Sequence, residues 1–143
     1  MKKNTTSAVS PSILVIDDEE SICEFFVYVF DEFNIKIDTE RTGAAGLECA
    51  MKNSYSLIFL DVQLGDMSGL DVLKKIKAHN LNAKVVIISG YLTESLIKEA
   101  LELGADKYLF KPLVVRDIVS LTHRFIDPVA LMNQTEGNRK SNH

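Results

Sequence analysis

Short apolar runs that alternate with amphipathic segments are the feature that most narrows the fold of this chain. Three continuous runs, residues 13–16, 57–60 and 85–88, show no polar alternation and therefore predict strands covered on both faces. Residues 35–39 and 107–110 are weaker strand candidates. Strands buried in this way are typical of parallel sheets flanked by helices.

The segments between these runs carry apolar residues at helical spacing. The stripe of the first segment consists of Ile22, Phe25, Phe26, Val29 and Phe30, and that of the last consists of Val114, Ile118, Leu121 and Phe125. We expect further helices over residues 44–52, 70–78 and 94–103, the last closed by Gly104. Five strands and five helices in strict alternation predict an α/β fold with a doubly wound, five-stranded parallel sheet.

Polar residues stand at the carboxyl ends of four of the five predicted strands. They are Asp17, Asp18 and Glu19 after the first strand, Asp61 after the third, Ser89 and Gly90 after the fourth, and Lys111 after the fifth. Parallel strands present their carboxyl ends at one edge of the sheet, which is where such sheets bind ligands. We therefore expect these residues to lie near one another.

The acidic run after the first strand has two interpretations. Acidic side chains are favoured at a helix N-cap and in the first turn, where they meet the positive end of the helix dipole. Carboxylates gathered at one edge, from Asp17, Asp18 and Asp61, would instead suit a hard cation such as Mg²⁺, which prefers oxygen ligands.

Ser89 and Lys111 also have two interpretations each. Ser89 is either an ordinary strand-end hydroxyl or a hydrogen-bond donor to an incoming anion, with Gly90 small enough to let that anion approach. Lys111 is either a solvated loop lysine or the partner of a carboxylate or phosphoryl oxygen. A cis bond between Lys111 and Pro112 would be one way to aim the lysine inward.

Four stretches of the chain together resemble the receiver domain of two-component response regulators. They read ILVIDDEE, LIFLDVQLGDMSGLDVL, VVIISGY and GADKYLFKPL, and the resemblance covers about residues 12–126. It implies the flavodoxin-like strand order 2-1-3-4-5 of CheY-like proteins. It also implies a binding module controlled by phosphorylation, rather than an enzyme.

The resemblance implies a role for most residues at the sheet edge. Asp61 would accept a phosphoryl group from a sensor histidine kinase or a histidine phosphotransfer domain. Mg²⁺ would be bound by Asp17, Asp18, Asp61 and the backbone carbonyl of Gln63. Lys111 would contact the phosphoryl group.

Two further residues match the switch positions of that family, namely Ser89 and Tyr108. Tyr108 could equally be a half-buried strand aromatic. The surface that changes would belong to the fourth helix, the fifth strand and the fifth helix, near Leu96, Glu99, Leu103 and Val119. We expect this surface to bind a downstream effector protein or a second copy of the chain in a homodimer.

The composition argues against several other partners. A net charge of −4 offers no field that would attract nucleic acid or an anionic membrane. No apolar run approaches the ~20 residues that span a bilayer, and the first twelve residues lack a signal-peptide core, so we expect a cytoplasmic protein. Cys23 and Cys49 lie in helical apolar patterns, which predicts buried free thiols.

We expect one receiver domain over residues 12–127 between two flexible tails, residues 1–11 and 128–143. No further domain follows the fifth helix in this sequence, so neither DNA binding nor output catalysis is expected of it. The loop after Asp61 reads Leu64-Gly65 where the family usually has Met-Pro. This departure implies a more mobile loop and leaves the lifetime of the phosphorylated state open.

Three other functions fit part of the pattern. An aspartyl-nucleophile phosphohydrolase also uses Asp, Lys and Mg²⁺, but Gln63 stands where its general acid would be. A flavin carrier of similar topology would need a phosphate-binding loop after the first strand, where acidic residues are found instead. A degenerate receiver that serves as a constitutive scaffold is disfavoured by the complete set of residues at the sheet edge.

Overall fold

A computed structural model describes residues 12–79 and 82–126 as five strands alternating with five helices. The strands are β1 (Ile13–Ile16), β2 (Asp38–Glu40), β3 (Leu57–Asp61), β4 (Lys84–Ser89) and β5 (Lys107–Phe110). The helices are α1 (Glu20–Asp31), α2 (Gly43–Lys52), α3 (Gly69–His79), α4 (Glu94–Glu102) and α5 (Val115–Phe125). The two expected tails and residue 127 lie outside the described residues.

All five strands pair in parallel, in the order β2-β1-β3-β4-β5, which confirms the expected order 2-1-3-4-5. The chain moves from β1 outward to β2 and then returns past β1 to β3. Such a reversal opens a crevice at the carboxyl ends of the central strands. Asp61 pairs with Ile88, and Ser89 pairs with Phe110, so the ends of β3, β4 and β5 lie side by side.

Alternate residues of the buried strands point to opposite faces of the sheet and build two cores. One core joins the sheet to α1 and α5, and in it the rings of Phe26 and Phe59 lie 4.8 Å apart between centroids. The other joins the sheet to α2, α3 and α4 and includes Leu60 and Leu73. Burial of each large apolar side chain contributes about 1.5–3 kcal/mol, so the two cores hold the sheet edge in place.

The second strand is shorter and lies later than predicted. It spans Asp38–Glu40 rather than residues 35–39. Ile35 is buried without joining the sheet, and its N–H donates to the carbonyl of Phe30 at 2.9 Å, which closes the turn after α1. The apolar character of Ile35 therefore reflects core packing in a loop, which a strand pattern does not distinguish.

The helix ends follow the prediction with one exception. Gly104 has φ of 107°, the left-handed conformation of a residue just beyond a helix, and α4 ends at Glu102. Val114, assigned to the buried stripe, is instead the N-cap residue of α5 and is 47% exposed.

Among residues 12–79 and 82–126, no helix combines the length and apolar character needed to cross a bilayer.

Both cysteines are free, as predicted. Cys23 is buried in α1, and this burial raises the pKa of its thiol to about 11. Cys49 is only half-buried, which corrects the expectation for that residue, and its Sγ lies 2.9 Å from the hydroxyl of Tyr55.

Gly69, the first residue of α3, allows that helix to start directly against the end of β3. Its N–H donates to the carbonyl of Val62 at 2.7 Å, and an added Cβ would overlap the carbonyl oxygen of Asp61. We predict that Gly69→Ala lowers the free energy of unfolding by about 2 kcal/mol, because backbone must move to admit the methyl group. Urea denaturation measures the change.

Gly65 provides the matched control for this substitution. A Cβ at Gly65 would meet no heavy atom within 4 Å. Gly65→Ala is therefore expected to change the free energy of unfolding by less than about 1 kcal/mol, in the stabilising direction. Equal stability of the Gly69→Ala variant and the wild-type protein would contradict the close approach.

Candidate functional site

The carboxyl ends of β1 and β3 bring four acidic side chains together. Asp17, Asp18, Glu19 and Asp61 each place one carboxylate oxygen within 4.8 Å of the others. Two like charges ~4 Å apart repel by about 4 kcal/mol at an effective dielectric constant near 20. The cluster therefore requires a positive partner.

Lys111 supplies this positive charge from the end of β5. Its Nζ lies 2.6 Å from Oε1 of Glu19, 2.9 Å from Oδ2 of Asp17 and 3.1 Å from Oδ2 of Asp61. Burial alone would lower the pKa of Lys111, but its close contacts with the three carboxylates raise it above its ordinary value. Lys111 is thus a charged partner of carboxylates rather than a solvated loop lysine.

The backbone around Lys111 aims the side chain inward. Its N–H donates to the carbonyl of Ser89 at 2.8 Å, which ties the end of β5 to the end of β4. The peptide bond between Lys111 and Pro112 is cis, the geometry considered from the sequence. The Lys111 side chain is 13% exposed.

Asp17 is the most deeply buried member of the cluster, with none of its surface exposed. Its Oδ1 accepts the N–H of Glu19 at 2.9 Å. Burial raises the pKa of Asp17 to about 6, and the hydrogen bond from Glu19 and the nearby Lys111 ammonium oppose this rise. The hydrogen bond from Glu19 fixes the Asp17 side chain within the loop that leads into α1.

The helix-start interpretation of the acidic run explains Glu20 but not Glu19. Glu19 is the N-cap residue of α1, yet its side chain makes no capping hydrogen bond and turns to Lys111 instead. Glu20 lies in the first turn, where its negative charge interacts favourably with the positive end of the helix dipole. It also pairs with Arg41 at 3.2 Å.

Asp61 ends β3 with both carboxylate oxygens engaged. Oδ1 accepts the N–H of Gln63 at 3.0 Å, and Oδ2 accepts a hydrogen bond from Lys111. Beside it opens a pocket of about 450 Å³, lined by Asp18, Glu19, Asp61, Gln63, Leu64, Gly65, Gly90 and Lys111. The pocket is large enough to admit a phosphoryl group next to the Asp61 carboxylate.

Of the two expected switch residues, Ser89 is hydrogen-bonded within its own loop and Tyr108 packs against a neighbouring ring. Ser89 is fully buried, and its hydroxyl accepts the N–H of Tyr91 and donates to the carbonyl of Tyr91, both at 3.2 Å. Tyr108 is half-buried in β5, with its ring 5.9 Å from that of Phe110 in an edge-to-face arrangement. The structure therefore brings Lys111 and the acidic residues together and directs the Ser89 hydroxyl into the loop after β4.

Arg41 contacts the acidic loop, which is the segment between β1 and α1 that carries Asp17, Asp18 and Glu19. This contact was not predicted from the sequence. Its Nη2 donates to the carbonyl of Asp18 at 3.2 Å, and its Nη1 donates to Glu20. Arg41 follows β2, 23 residues from Asp18 along the chain. A contact over that separation leaves no local sequence signal.

Asp66 joins the loop after β3 to the start of α2. Its carboxylate accepts the N–H groups of Gly43 and Ala44 at 2.8 and 3.0 Å, and these hydrogen bonds lower the pKa of Asp66. Thr42 caps the next N–H, that of Ala45. Asp66 thus acts as a helix cap supplied from a distant loop, so the usual N-cap pattern in the sequence could not identify it.

The acidic cluster fits a hard divalent cation. Within the part of the chain that the structure describes, Oδ2 of Asp17 is the buried side-chain oxygen left without a hydrogen bond, although the Lys111 ammonium lies 2.9 Å away. A buried carboxylate oxygen with a free lone pair, surrounded by three more carboxylates, is a donor set that Mg²⁺ or Ca²⁺ prefers.

The sequence and the fold agree on one family. Residues 13–123 match the response regulator receiver domain. The chain belongs to this family, whose members serve two-component signalling.

Two related proteins support this assignment. The response regulator ArlR of Staphylococcus saprophyticus is 30% identical over 108 residues, which cover 76% of this chain and 49% of that protein. A two-component response regulator from Clostridium difficile is 28% identical, with a TM-score of 0.77 over 81% of this chain and 95% of that chain. This chain spans about half the length of ArlR and of the other curated relatives that it matches.

A further solved structure shares the fold at lower identity. It is a response regulator from Burkholderia pseudomallei, solved with a phosphorylated aspartic acid, a calcium ion and citrate. It is 24% identical, with a TM-score of 0.73 over 90% of this chain and 73% of that chain.

Loss of the Lys111 charge should destabilise the domain. In Lys111→Met the buried charges of Asp17 and Asp61 lose their partner, and we expect the free energy of unfolding without divalent cations to fall by about 3 kcal/mol. Adding Asp61→Asn should recover part of this loss, because it removes one of the two unpaired charges. Urea denaturation in chelator measures both effects.

Lys107→Met is the control, since Lys107 is an exposed lysine at the start of β5, the strand that Lys111 follows. It should change the free energy of unfolding by less than about 0.5 kcal/mol. Equal losses for the two lysine variants would mean that the Lys111 ion pairs do not stabilise the fold.

Proposed function

We propose that Asp61 is the phosphoacceptor of this receiver domain and that a histidine of a sensor kinase, or of a histidine phosphotransfer domain, is the donor. The observation that carries this proposal is the position of Lys111, whose ammonium contacts both Asp61 and Asp17 at the edge of an open pocket. A cation so placed can meet an incoming phosphoryl oxygen without leaving the pocket.

The chemical step needs a carboxylate oxygen of Asp61 as nucleophile. This oxygen forms a bond to phosphorus while the P–N bond of phosphohistidine breaks. The departing imidazole nitrogen keeps the electron pair of that bond, and a proton already on the other ring nitrogen makes the leaving imidazole neutral. The N–H of Gln63 holds Oδ1 of Asp61 and thereby fixes the orientation of the carboxylate. Lys111 reduces the repulsion between the carboxylate and the phosphoryl group.

Asp17, Asp18, Asp61 and the carbonyl of Gln63 would hold Mg²⁺ at this site. The buried Oδ2 of Asp17, which accepts no hydrogen bond, and the proximity of the four carboxylates support the assignment. When bound, Mg²⁺ supplies positive charge that stabilises the transferring phosphoryl oxygens.

Ser89 and Tyr108 would transmit the change. A phosphoryl group on Asp61 offers the Ser89 hydroxyl a charged acceptor in place of the backbone of Tyr91. Movement of the loop after β4 would then let the half-buried Tyr108 ring repack.

The surface of α4, β5 and α5 would bind the partner, either an effector protein or a second copy of the chain. Phe110, Val114 and Val115 are large apolar residues in or between β5 and α5, and each is more than 40% exposed. The predicted contact residues Leu96, Leu103 and Val119 are half-buried, and Glu99 is exposed. Exposed apolar side chains favour a protein partner over nucleic acid, and the net charge of −4 disfavours an anionic membrane.

We further propose that the chain does not turn over substrates as a phosphohydrolase. The side chain two residues after Asp61 is the amide of Gln63, which cannot donate a proton as a general acid.

Intact-mass measurement tests the phosphoacceptor. With Mg²⁺ and phosphoramidate, the wild-type protein should gain the mass of one phosphoryl group, and Asp61→Asn should gain none because its amide is not a nucleophile. Chelation of the metal should prevent the gain, and Asp18→Asn should slow it.

Asp71→Asn serves as control, because Asp71 is an exposed acid in the first turn of α3. It should be phosphorylated like the wild-type protein. A mass gain in the Asp61→Asn variant, or no gain in the wild-type protein, would overturn the assignment.

A further inference from the structure

Glu19 occupies a distinct place among the carboxylates of the site. Its contact with Lys111, at 2.6 Å, is the shortest of the three that this lysine makes. Its side chain is 56% exposed, whereas those of Asp17 and Asp61 are almost completely buried. Glu19 also lines the pocket beside Asp61, so it presents its negative charge at the solvent-exposed side of the site.

A donor that enters this pocket comes near the Glu19 carboxylate, which is part of the pocket lining. In an in-line transfer the leaving group departs from phosphorus on the side opposite the Asp61 nucleophile, which is the side facing solvent. The Glu19 carboxylate therefore interacts electrostatically with the charge of the leaving group. Lys111 offsets this charge incompletely, because its ammonium is shared among three carboxylates.

Small phosphodonors differ in that charge. Phosphoramidate carries its phosphoryl group on a protonated nitrogen near neutral pH and leaves as ammonia, so Asp61 and this donor together bear two negative charges before and after the transfer. Acetyl phosphate releases acetate, so Asp61 and this donor together bear three negative charges before and after the transfer. A fixed carboxylate at the entrance favours the first reaction over the second.

We propose that Glu19 selects the phosphodonor, favouring phosphoryl groups carried on nitrogen over acyl phosphates. This inference rests on the proposed phosphorylation of Asp61. It makes Glu19 a specificity-determining residue that acts through charge, and it would limit phosphorylation by metabolic acyl phosphates relative to transfer from a histidine.

Glu20 offers a matched control on the same helix. It is the next residue along the chain, its side chain is 65% exposed, and it pairs with Arg41 rather than Lys111. Glu20→Gln removes the same charge as Glu19→Gln and leaves the Lys111 contacts in place. Glu19→Asp keeps the charge at the entrance and tests whether charge or side-chain length matters.

The experiment compares initial phosphorylation rates with acetyl phosphate and with phosphoramidate, measured by intact mass in Mg²⁺ at equal ionic strength near neutral pH. We expect the ratio of the acetyl phosphate rate to the phosphoramidate rate to rise about threefold to fivefold in Glu19→Gln. It should stay within about twofold of the wild-type ratio in Glu20→Gln and Glu19→Asp. Added salt should reduce the difference, since Glu19 is exposed.

An unchanged ratio in Glu19→Gln, or an equal rise in Glu20→Gln, would overturn the role of Glu19 while leaving Asp61 as the phosphoacceptor. If the wild-type protein accepts phosphoryl groups from neither donor, the proposed function fails and the role of Glu19 fails with it. Thermal unfolding of each variant checks that the rates compare folded proteins.

Discussion

The ion pairs of Lys111 are the interaction on which the site depends. They join the end of β5 to the ends of β1 and β3, so one ammonium offsets carboxylates from two different strands. Without it, the repulsion among buried carboxylates would oppose the packing of the sheet edge. In the proposed function, the same ammonium also contacts a phosphoryl oxygen on Asp61.

The loops around this centre are tied to one another by polar contacts as well as by core packing. Arg41 fastens the acidic loop, Asp66 fastens the loop after β3 to α2, and Gly69 lets α3 start against Asp61. These contacts keep the carboxylates in position in the absence of a ligand. Ser89 is held by two hydrogen bonds of 3.2 Å to Tyr91, within the loop after β4 that the proposed switch would move.

The sequence predicted the parts of the structure that depend on pattern. Continuous apolar runs identified the central strands, and their carboxyl ends identified the residues that meet at the sheet edge. The prediction was wrong where burial occurs outside regular structure, as at Ile35, or where an apolar residue is exposed, as at Val114. It missed the contacts of Arg41 and Asp66 because their partners lie more than 20 residues away along the chain.

The central claim is that charge added at Asp61 releases Ser89 and changes the surface of α4, β5 and α5. Backbone amide chemical shifts recorded before and after addition of Mg²⁺ and beryllofluoride, a phosphoryl mimic, test it most directly. We predict large shifts at Ser89 and Tyr91 and further shifts at Leu96, Glu99, Leu103 and Val119, all absent in Asp61→Asn. Shifts confined to the residues that line the pocket would contradict the claim.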